Sequence, residues 1–319
     1  MAQVQISHEH ISQVRTKTAP TRNFEIMIYT DNLMHTGISS IDSGVHPRSK
    51  PELEVALRET FQFGIDTSSV KLDRKDNILM IKDCRDSRNL GILDSSEDIE
   101  VTAKIFFLDF VNCSNLHDFQ DMVDTTLKSL KSHLNVKTIH SLILSFNGGR
   151  IQHDSPDSSS ENISATKQDI LNIPETSAFV KLWLALIDRQ NAGDFKLLGV
   201  SDFTLENLTK FKELGIPLPN INQINVPSNG DLSESLLEFS SDHNVELLSH
   251  KDQCCSITHK YLSQLTDSTY FDPYIPDYVT ENGQNLNIRP RVVVKYSTII
   301  KNRSIVRSKG YIVTLSQQS

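Results

Sequence analysis

The chain has 319 residues with 32 basic and 40 acidic side chains, which gives a formal net charge of -8. This acidic balance argues against a nucleic-acid binder and against a polybasic membrane anchor. No apolar run approaches the roughly 20 residues of a membrane-spanning helix, and the start of the sequence lacks the apolar core of a signal peptide. Composition therefore predicts a cytoplasmic protein, or one shared between nucleus and cytoplasm.

The four cysteines are too few to form a disulfide framework in a chain of this length, which fits a reducing compartment. Cys84, Cys113 and the adjacent pair Cys254 and Cys255 do not have the CxxC spacing of a metal site. We therefore predict no metal and interpret the thiols as reduced. An intersubunit disulfide through Cys113, Cys254 or Cys255 stays open.

A single domain with polar insertions is the most economical division of the chain. Residues 1–20 are polar and are predicted to form a poorly ordered tail, and residues 21–319 are predicted to form the domain. Two segments inside the domain, residues 65–100 and 147–175, are rich in polar side chains. We interpret the first as an irregular insertion with one short strand and the second as a surface loop.

Apolar residues in the first half of the chain alternate between strand and helix periods. Residues 24–29 (FEIMIY), 101–108 (VTAKIFFL) and 139–144 predict three strands. One amphipathic helix is predicted after Ser49, which opens a capping-box pattern. A longer helix is predicted from Leu116, because apolar residues recur there at spacings of three and four.

The stretch from Lys196 to Leu248 has the most regular alternation of the chain. Three short apolar runs predict strands: Leu197–Val200, Ile221–Val226 and Val245–Leu248. Two helical patterns separate them, the first capped by Thr204 and closed by Gly215, the second capped by Asp231. Strands joined by crossover helices must be parallel, so this stretch predicts a doubly covered α/β sheet or a closed barrel.

Two motifs in this stretch resemble signatures of the aldo-keto reductases. LLGVSDF and INQINV are similar to the GVSNF and NQVE motifs of that family. The resemblance implies a (β/α)8 TIM barrel, and it places Ser201, Asp202, Asn222 and Gln223 at or beside the residues that hold the nicotinamide amide. Asp202 departs from the family's Asn, because a carboxylate can only accept hydrogen bonds. The alternative is that these residues merely end strands.

The same resemblance implies a catalytic tetrad of Asp, Tyr, Lys and His, of which only Lys104 carries over. Ser145 stands where the family has His, and Asp66–Lys71 (DTSSVK), the nearest match to DTAxxY, has Lys71 in place of Tyr. Without a proton donor we predict no catalytic residue. We interpret Lys104 as vestigial, snorkelling or paired with a carboxylate, and we expect no cofactor, with residual NADP binding left open.

The final segment, residues 289–319, contains no acidic side chain. Its basic residues are Arg289, Arg291, Lys295, Lys301, Arg303, Arg307 and Lys309. The corresponding region of the reductases holds the adenosine phosphate of the cofactor, and here it looks truncated because the RIxEN motif is absent. The charges belong either to a solvated helix face or to a docking surface for an acidic partner or nucleotide. The partner-binding candidates are Lys301, Arg303, Arg307 and Lys309.

Several stretches together are similar to the regulatory subunits of glutamate-cysteine ligase, a branch of the aldo-keto reductase superfamily without reductase activity. The stretches are VTAKIFF, SDFTLENL, NINQINV, VELLSHKD and YSTIIKNRSIVRSKGYIV. The resemblance implies a non-catalytic subunit that binds the catalytic subunit, raises its affinity for glutamate and ATP, and relieves feedback inhibition by glutathione. The alternative is an NADPH-dependent reductase with displaced catalytic groups.

Overall fold

The computed structural model describes residues 25–34, 52–66, 69–73, 75–85, 98–108, 116–146, 178–225, 232–250, 252 and 288–317. Several sequence predictions lie outside the described residues: the tail 1–20, the loop 147–175, Ser49, Asp231, Cys113, Cys254 and Cys255. The division into one domain with a tail and insertions stays a prediction.

The described strands form one mixed sheet of ten strands. Their bounds are β1 Glu25–Tyr29, β2 Val70–Asp73, β3 Ile78–Lys82, β4 Ile99–Phe107, β5 Ile139–Ser145, β6 Phe195–Ser201, β7 Ile221–Asn225, β8 Glu246–His250, β9 Ile288–Ile300 and β10 Ile305–Gln317. Their order across the sheet is β2-β3-β1-β10-β9-β4-β5-β6-β7-β8.

Five α-helices pack on this sheet in the described part of the chain. Their bounds are α1 Glu52–Glu59, α2 Leu116–Leu134, α3 Ala178–Asn191, α4 Leu205–Glu213 and α5 Glu234–Asp242, and a π-helical turn, Thr60–Gly64, continues α1. Among the described helices, each is too short or too polar to cross a membrane. The predicted compartment stays a prediction.

The half of the sheet from β4 to β8 confirms the predicted α/β fold. These five strands lie side by side and are parallel. Helices α2, α3, α4 and α5 connect them in turn, as crossover connections between parallel strands require. This strand and helix alternation is consistent with the barrel-like fold that the sequence predicts.

The other half of the sheet differs from a purely parallel barrel. Strands β9 and β10 form a long antiparallel hairpin, and β10 then pairs antiparallel with β1 while β9 pairs antiparallel with β4. The hairpin therefore lies in the middle of the described sheet. The alternative that the C-terminal charges lie on a solvated helix face is wrong, because these residues form strands β9 and β10 and the turn between them.

The insertion predicted at residues 65–100 is more ordered than expected where the structure describes it. Both β2 and β3 belong to it, and β3 pairs parallel with β1 to extend the sheet. Within the Asp66–Lys71 motif, the Ser69 backbone N-H donates to the Asp66 carbonyl at 3.0 Å. Lys71 lies exposed on β2.

Two apolar layers cover the two faces of the sheet. Helices α2, α3 and α4 cover one face, where Trp183 is fully buried and donates its Nε1-H to the Pro217 carbonyl at 2.9 Å. Helix α1 covers the other face through Leu53 and Leu57. Because strand side chains alternate, Lys104 shares the α1 face with Phe106, whose ring centroid lies 5.2 Å from its Nζ.

The predicted cap of helix α4 is confirmed and gives a first stability prediction. Thr204 Oγ1 accepts from the Asn207 backbone N-H at 3.4 Å, while Asn207 Oδ1 accepts from the Thr204 N-H at 2.9 Å. Thr204→Ala is expected to lower the free energy of unfolding by about 1 kcal/mol in urea titration. Thr204→Ser retains the hydroxyl and serves as the control. Equal losses in both variants would contradict a capping role.

Candidate functional site

Charged side chains converge near the carboxyl ends of β6 and β8. We call this group the Asp252 cluster, and its members are Lys104, Ser201, Asp202, His250, Asp252 and Lys295. Strands β4, β6, β8 and β9 each carry one member, and Asp202 and Asp252 follow the ends of β6 and β8. The carboxyl ends of parallel strands are where α/β folds place their binding and catalytic groups.

Asp252 binds two lysines at the centre of the cluster. Lys104 Nζ donates to Asp252 Oδ2 at 2.9 Å, and Lys295 Nζ donates to Asp252 Oδ1 at 2.8 Å. The Lys104 side chain is 5% exposed and that of Asp252 is 12% exposed. The interpretation of Lys104 as a buried lysine paired with a carboxylate is therefore supported, and the structure supplies the partner.

The electrostatics of the cluster favour its charged form. Burial alone would raise the pKa of the Asp252 carboxyl, but hydrogen bonds from Lys295 and Lys104 and their positive charges outweigh it, so this pKa lies below its ordinary value. Burial acts to lower the pKa of Lys295, yet Asp252 and Glu52 raise it above its ordinary value. Both partners therefore stay ionised at neutral pH.

His250 connects Asp252 to the end of β6. Its Nδ1 accepts from the Asp252 backbone N-H at 3.2 Å, and its Nε2 lies 3.1 Å from Asp202 Oδ1. These contacts fit the tautomer that carries its proton on Nε2. Ser201 Oγ donates to Asp202 Oδ2 at 3.1 Å and lies 3.2 Å from His250 Nε2.

Asp202 suits its position because its neighbours there are donors. Besides Ser201 and His250, the Asn225 backbone N-H donates to Asp202 Oδ1 at 2.9 Å. A carboxylate accepts from all three groups, whereas an Asn side chain would accept through Oδ1 and donate its NH2 group to the Ser201 hydroxyl. Asp202 also has a φ of +60°, the left-handed region that Asp tolerates better than most residues.

The other predicted nicotinamide residues divide between buried and partly exposed positions. Asn222 is 0% exposed, and its amide accepts from the Phe203 N-H at 3.2 Å and donates to the Phe203 carbonyl at 2.9 Å. Ser201 is also buried, whereas Gln223 on β7 is partly exposed. The expectation of no cofactor stays a prediction, and the Asn222 amide already forms hydrogen bonds with the backbone.

The imidazole of the cluster comes from a residue that sequence reasoning did not identify. Ser145, the residue in place of the family's His, is buried on β5, where it pairs in register with Phe106 of β4. His250 instead approaches from β8. The signal was present in the VELLSHKD stretch, which contains both His250 and Asp252, but neither side chain was assigned a role.

A second carboxylate, Glu52 of α1, extends the network toward the C-terminal hairpin. It accepts from Lys309 Nζ at 2.7 Å and from the Tyr311 hydroxyl at 3.0 Å, and Lys295 Nζ lies 3.4 Å away. Burial acts to raise the pKa of Glu52, but Lys309 and Lys295 lower it below its ordinary value. Lys309 is thus an internal ion-pair partner, which argues against its prediction as a docking residue.

The described tyrosine hydroxyls have partners other than Lys104. The Tyr29 hydroxyl points to Met27 Sδ at 4.0 Å, the Tyr296 hydroxyl lies 2.9 Å from His133 Nε2, and the Tyr311 hydroxyl donates to Glu52. In the part of the chain that the structure describes, the ammonium of Lys104 faces a carboxylate and a phenylalanine ring.

No family model matches this chain. A putative glutamate-cysteine ligase regulatory subunit of Schizosaccharomyces pombe is 25% identical over 68% of this chain and 71% of its own length. The glutamate-cysteine ligase regulatory subunits of Mus musculus and Homo sapiens are each 23% identical over 69% of this chain and 67% of their own lengths. The resemblance found in the sequence is confirmed by these relatives.

Solved aldo-keto reductases match smaller parts of the structure. The Bombyx mori enzyme in complex with NADP is 20% identical, and the match covers 41% of this chain and 36% of that enzyme with a TM-score of 0.29. The enzyme from Brucella melitensis is 19% identical, with coverage of 52% and 51% and a TM-score of 0.30. The matches thus span about a third to a half of those reductases.

Proposed function

We propose that this chain is a non-catalytic regulatory subunit of glutamate-cysteine ligase that binds the catalytic subunit. The observation that carries the proposal is the engagement of the described tyrosine hydroxyls by partners other than Lys104, the lysine that a reductase would place beside its tyrosine. The relatives named as such regulatory subunits match about two thirds of the chain and support the same role.

The chemistry of carbonyl reduction explains why this engagement matters. A reductase must deliver a proton to the carbonyl oxygen, and the family resemblance assigns that role to a tyrosine whose pKa a neighbouring lysine lowers. A Lys104–Asp252 pair would also be present in a reductase, but the described tyrosine hydroxyls contact Met27, His133 and Glu52, so in these residues Lys104 has no phenol to activate. The cluster then acts as an internal ion-pair network that holds the strand ends together.

The regulatory effect that we propose is a difference in binding free energy between two states of the catalytic subunit. A subunit that binds the substrate-competent state better raises the apparent affinity for glutamate and ATP, and by the same linkage weakens the binding of inhibitory glutathione. Allosteric coupling of this kind is typically about 1 to 3 kcal/mol, or roughly 5-fold to 150-fold in an equilibrium constant.

The proposal is tested with the purified catalytic subunit alone and after co-expression with this chain. We expect a complex that elutes as one species, a glutamate KM that falls by roughly 5-fold or more, and weaker inhibition by glutathione. Lys104→Met is the control that separates regulation from reductase chemistry. Lys104 is buried and Asp252 keeps its bond from Lys295, so a regulatory subunit with this change should still activate the catalytic subunit. Separate elution with unchanged glutamate KM and glutathione inhibition would contradict the proposal.

A second candidate, an NADPH-dependent reductase with displaced groups, is favoured by the convergence of Lys104, Asp252 and His250. These are three of the four residue types in the reductase tetrad. Titration of the purified protein with NADPH, followed by an aldehyde turnover assay, separates the two functions. Saturable NADPH binding with turnover that Lys104→Met abolishes would favour the reductase over the regulatory subunit.

A further inference from the structure

The tip of the β9–β10 hairpin is an exposed surface that is both cationic and apolar. We define the hairpin tip as residues 301–307, of which 301–306 are exposed. Ile305 is 54% exposed and Val306 is 40% exposed. We propose that the hairpin tip docks on an acidic patch of the catalytic subunit, an inference that rests on the proposed function.

The base of the tip is held by the surrounding fold. The Lys301 backbone N-H donates to the Asp98 carbonyl at 2.9 Å, and Asn32 Nδ2 donates to the Arg307 carbonyl at 3.2 Å. Ladder pairing between β9 and β10 continues outward to Ile300 and Ile305, with a bulge between Val306 and Ser308. The tip is therefore preorganised, and its docking costs less conformational entropy than the ordering of a loose loop.

Three basic residues of the final segment are paired with carboxylates inside the fold. Toward the body of the sheet, Arg291 pairs with Glu25 at 2.9 Å, Lys295 binds Asp252, and Lys309 binds Glu52. These charges are neutralised within the fold. They explain part of the basic composition without any partner.

Two arginines at the tip differ from these three residues. Among the described residues, the side chains of Arg303 and Arg307 form no ion pair. The chain as a whole carries a net charge of -8, so this is a local reversal of sign. Arginine is enriched at protein interfaces and among the residues that contribute most to binding, and Ile305 and Val306 add exposed apolar surface beside these arginines. Charge complementarity then requires an acidic surface on the partner.

The test measures the binding of Arg303→Glu/Arg307→Glu to the isolated catalytic subunit by surface plasmon resonance at low and high salt. Charge reversal is expected to raise Kd by about tenfold or more at low salt, mainly through slower association, and by less in high salt. The control is Lys71→Glu/Lys181→Glu, which makes the same change in net charge at exposed positions on β2 and α3. We expect its Kd to stay within about twofold of the unmodified chain.

A second variant keeps the inference testable without a charge change. Ile305→Ser removes an exposed aliphatic side chain and is expected to raise Kd severalfold at either salt concentration, because apolar contacts are not screened. Failure of the unmodified chain to bind would contradict the proposed function itself. The other contradicting outcome is that both tip variants are folded, as judged by circular dichroism, and bind as tightly as the unmodified chain. That outcome would contradict the hairpin tip as the docking surface but not the proposed function.

Discussion

A chain truncated after Gly310 is expected to lose its cooperative unfolding transition. The deletion removes most of β10, which forms hydrogen bonds with β1 on one side and β9 on the other. Four of its side chains, Tyr311, Ile312, Val313 and Leu315, are at most 3% exposed. At about 1.5 to 3 kcal/mol for each buried side chain, the loss equals the whole stability of a typical domain, about 5 to 15 kcal/mol.

Urea titration followed by circular dichroism measures this outcome, and the same hairpin provides a control. Ile305→Ser lies at the exposed tip and should change the free energy of unfolding by about 0.5 kcal/mol or less. A truncated chain with an unchanged urea midpoint would mean that β10 is dispensable for the sheet. It would also mean that the buried β10 residues after the tip do not contribute to the stability of the core.

The parallel half of the fold could be predicted because its signals are local. Thr204 and Gly215 bound helix α4 within a dozen residues, and both the cap and the positive φ of Gly215 are present in the structure. The central hairpin gave no such signal. Its place in the sheet depends on pairs such as Ile28 with Val313, which join opposite ends of the chain. Spacing within one segment cannot reveal those partners.

Only the local features of the candidate site could be predicted, because its contacts also join distant parts of the chain. A buried strand lysine needs a carboxylate, so pairing of Lys104 followed from its setting, but Asp252 lies 148 residues further along the chain. Charge alone predicts Lys309 as a docking residue, and only the fold reveals Glu52 beside it. Conversely, the exposed aliphatic residues at the hairpin tip read in sequence as ordinary strand.

Asp252→Ala is expected to lower the free energy of unfolding by about 3 kcal/mol at pH 7, because it leaves the nearly buried ammonium of Lys104 without its carboxylate. Lys104→Met should cost less, about 1 kcal/mol, because Asp252 keeps its hydrogen bond from Lys295 at 2.8 Å. Urea titration of both variants and of the double variant forms a double-mutant cycle. Additive losses would mean that the pair is not coupled.

The contribution of Asp252 should also depend on pH with a defined sign. The folded-state pKa of its carboxyl lies below the ordinary value of about 3.9, because the lysine hydrogen bonds and charges outweigh burial. The stabilisation is therefore fully present above that ordinary value and is lost as pH falls through the folded-state pKa. The difference between the unmodified chain and Asp252→Ala should be constant from pH 7 to 5 and shrink toward pH 3. A difference that grows on acidification would mean that Asp252 is protonated in the folded state and that its ion pair with Lys104 is not formed.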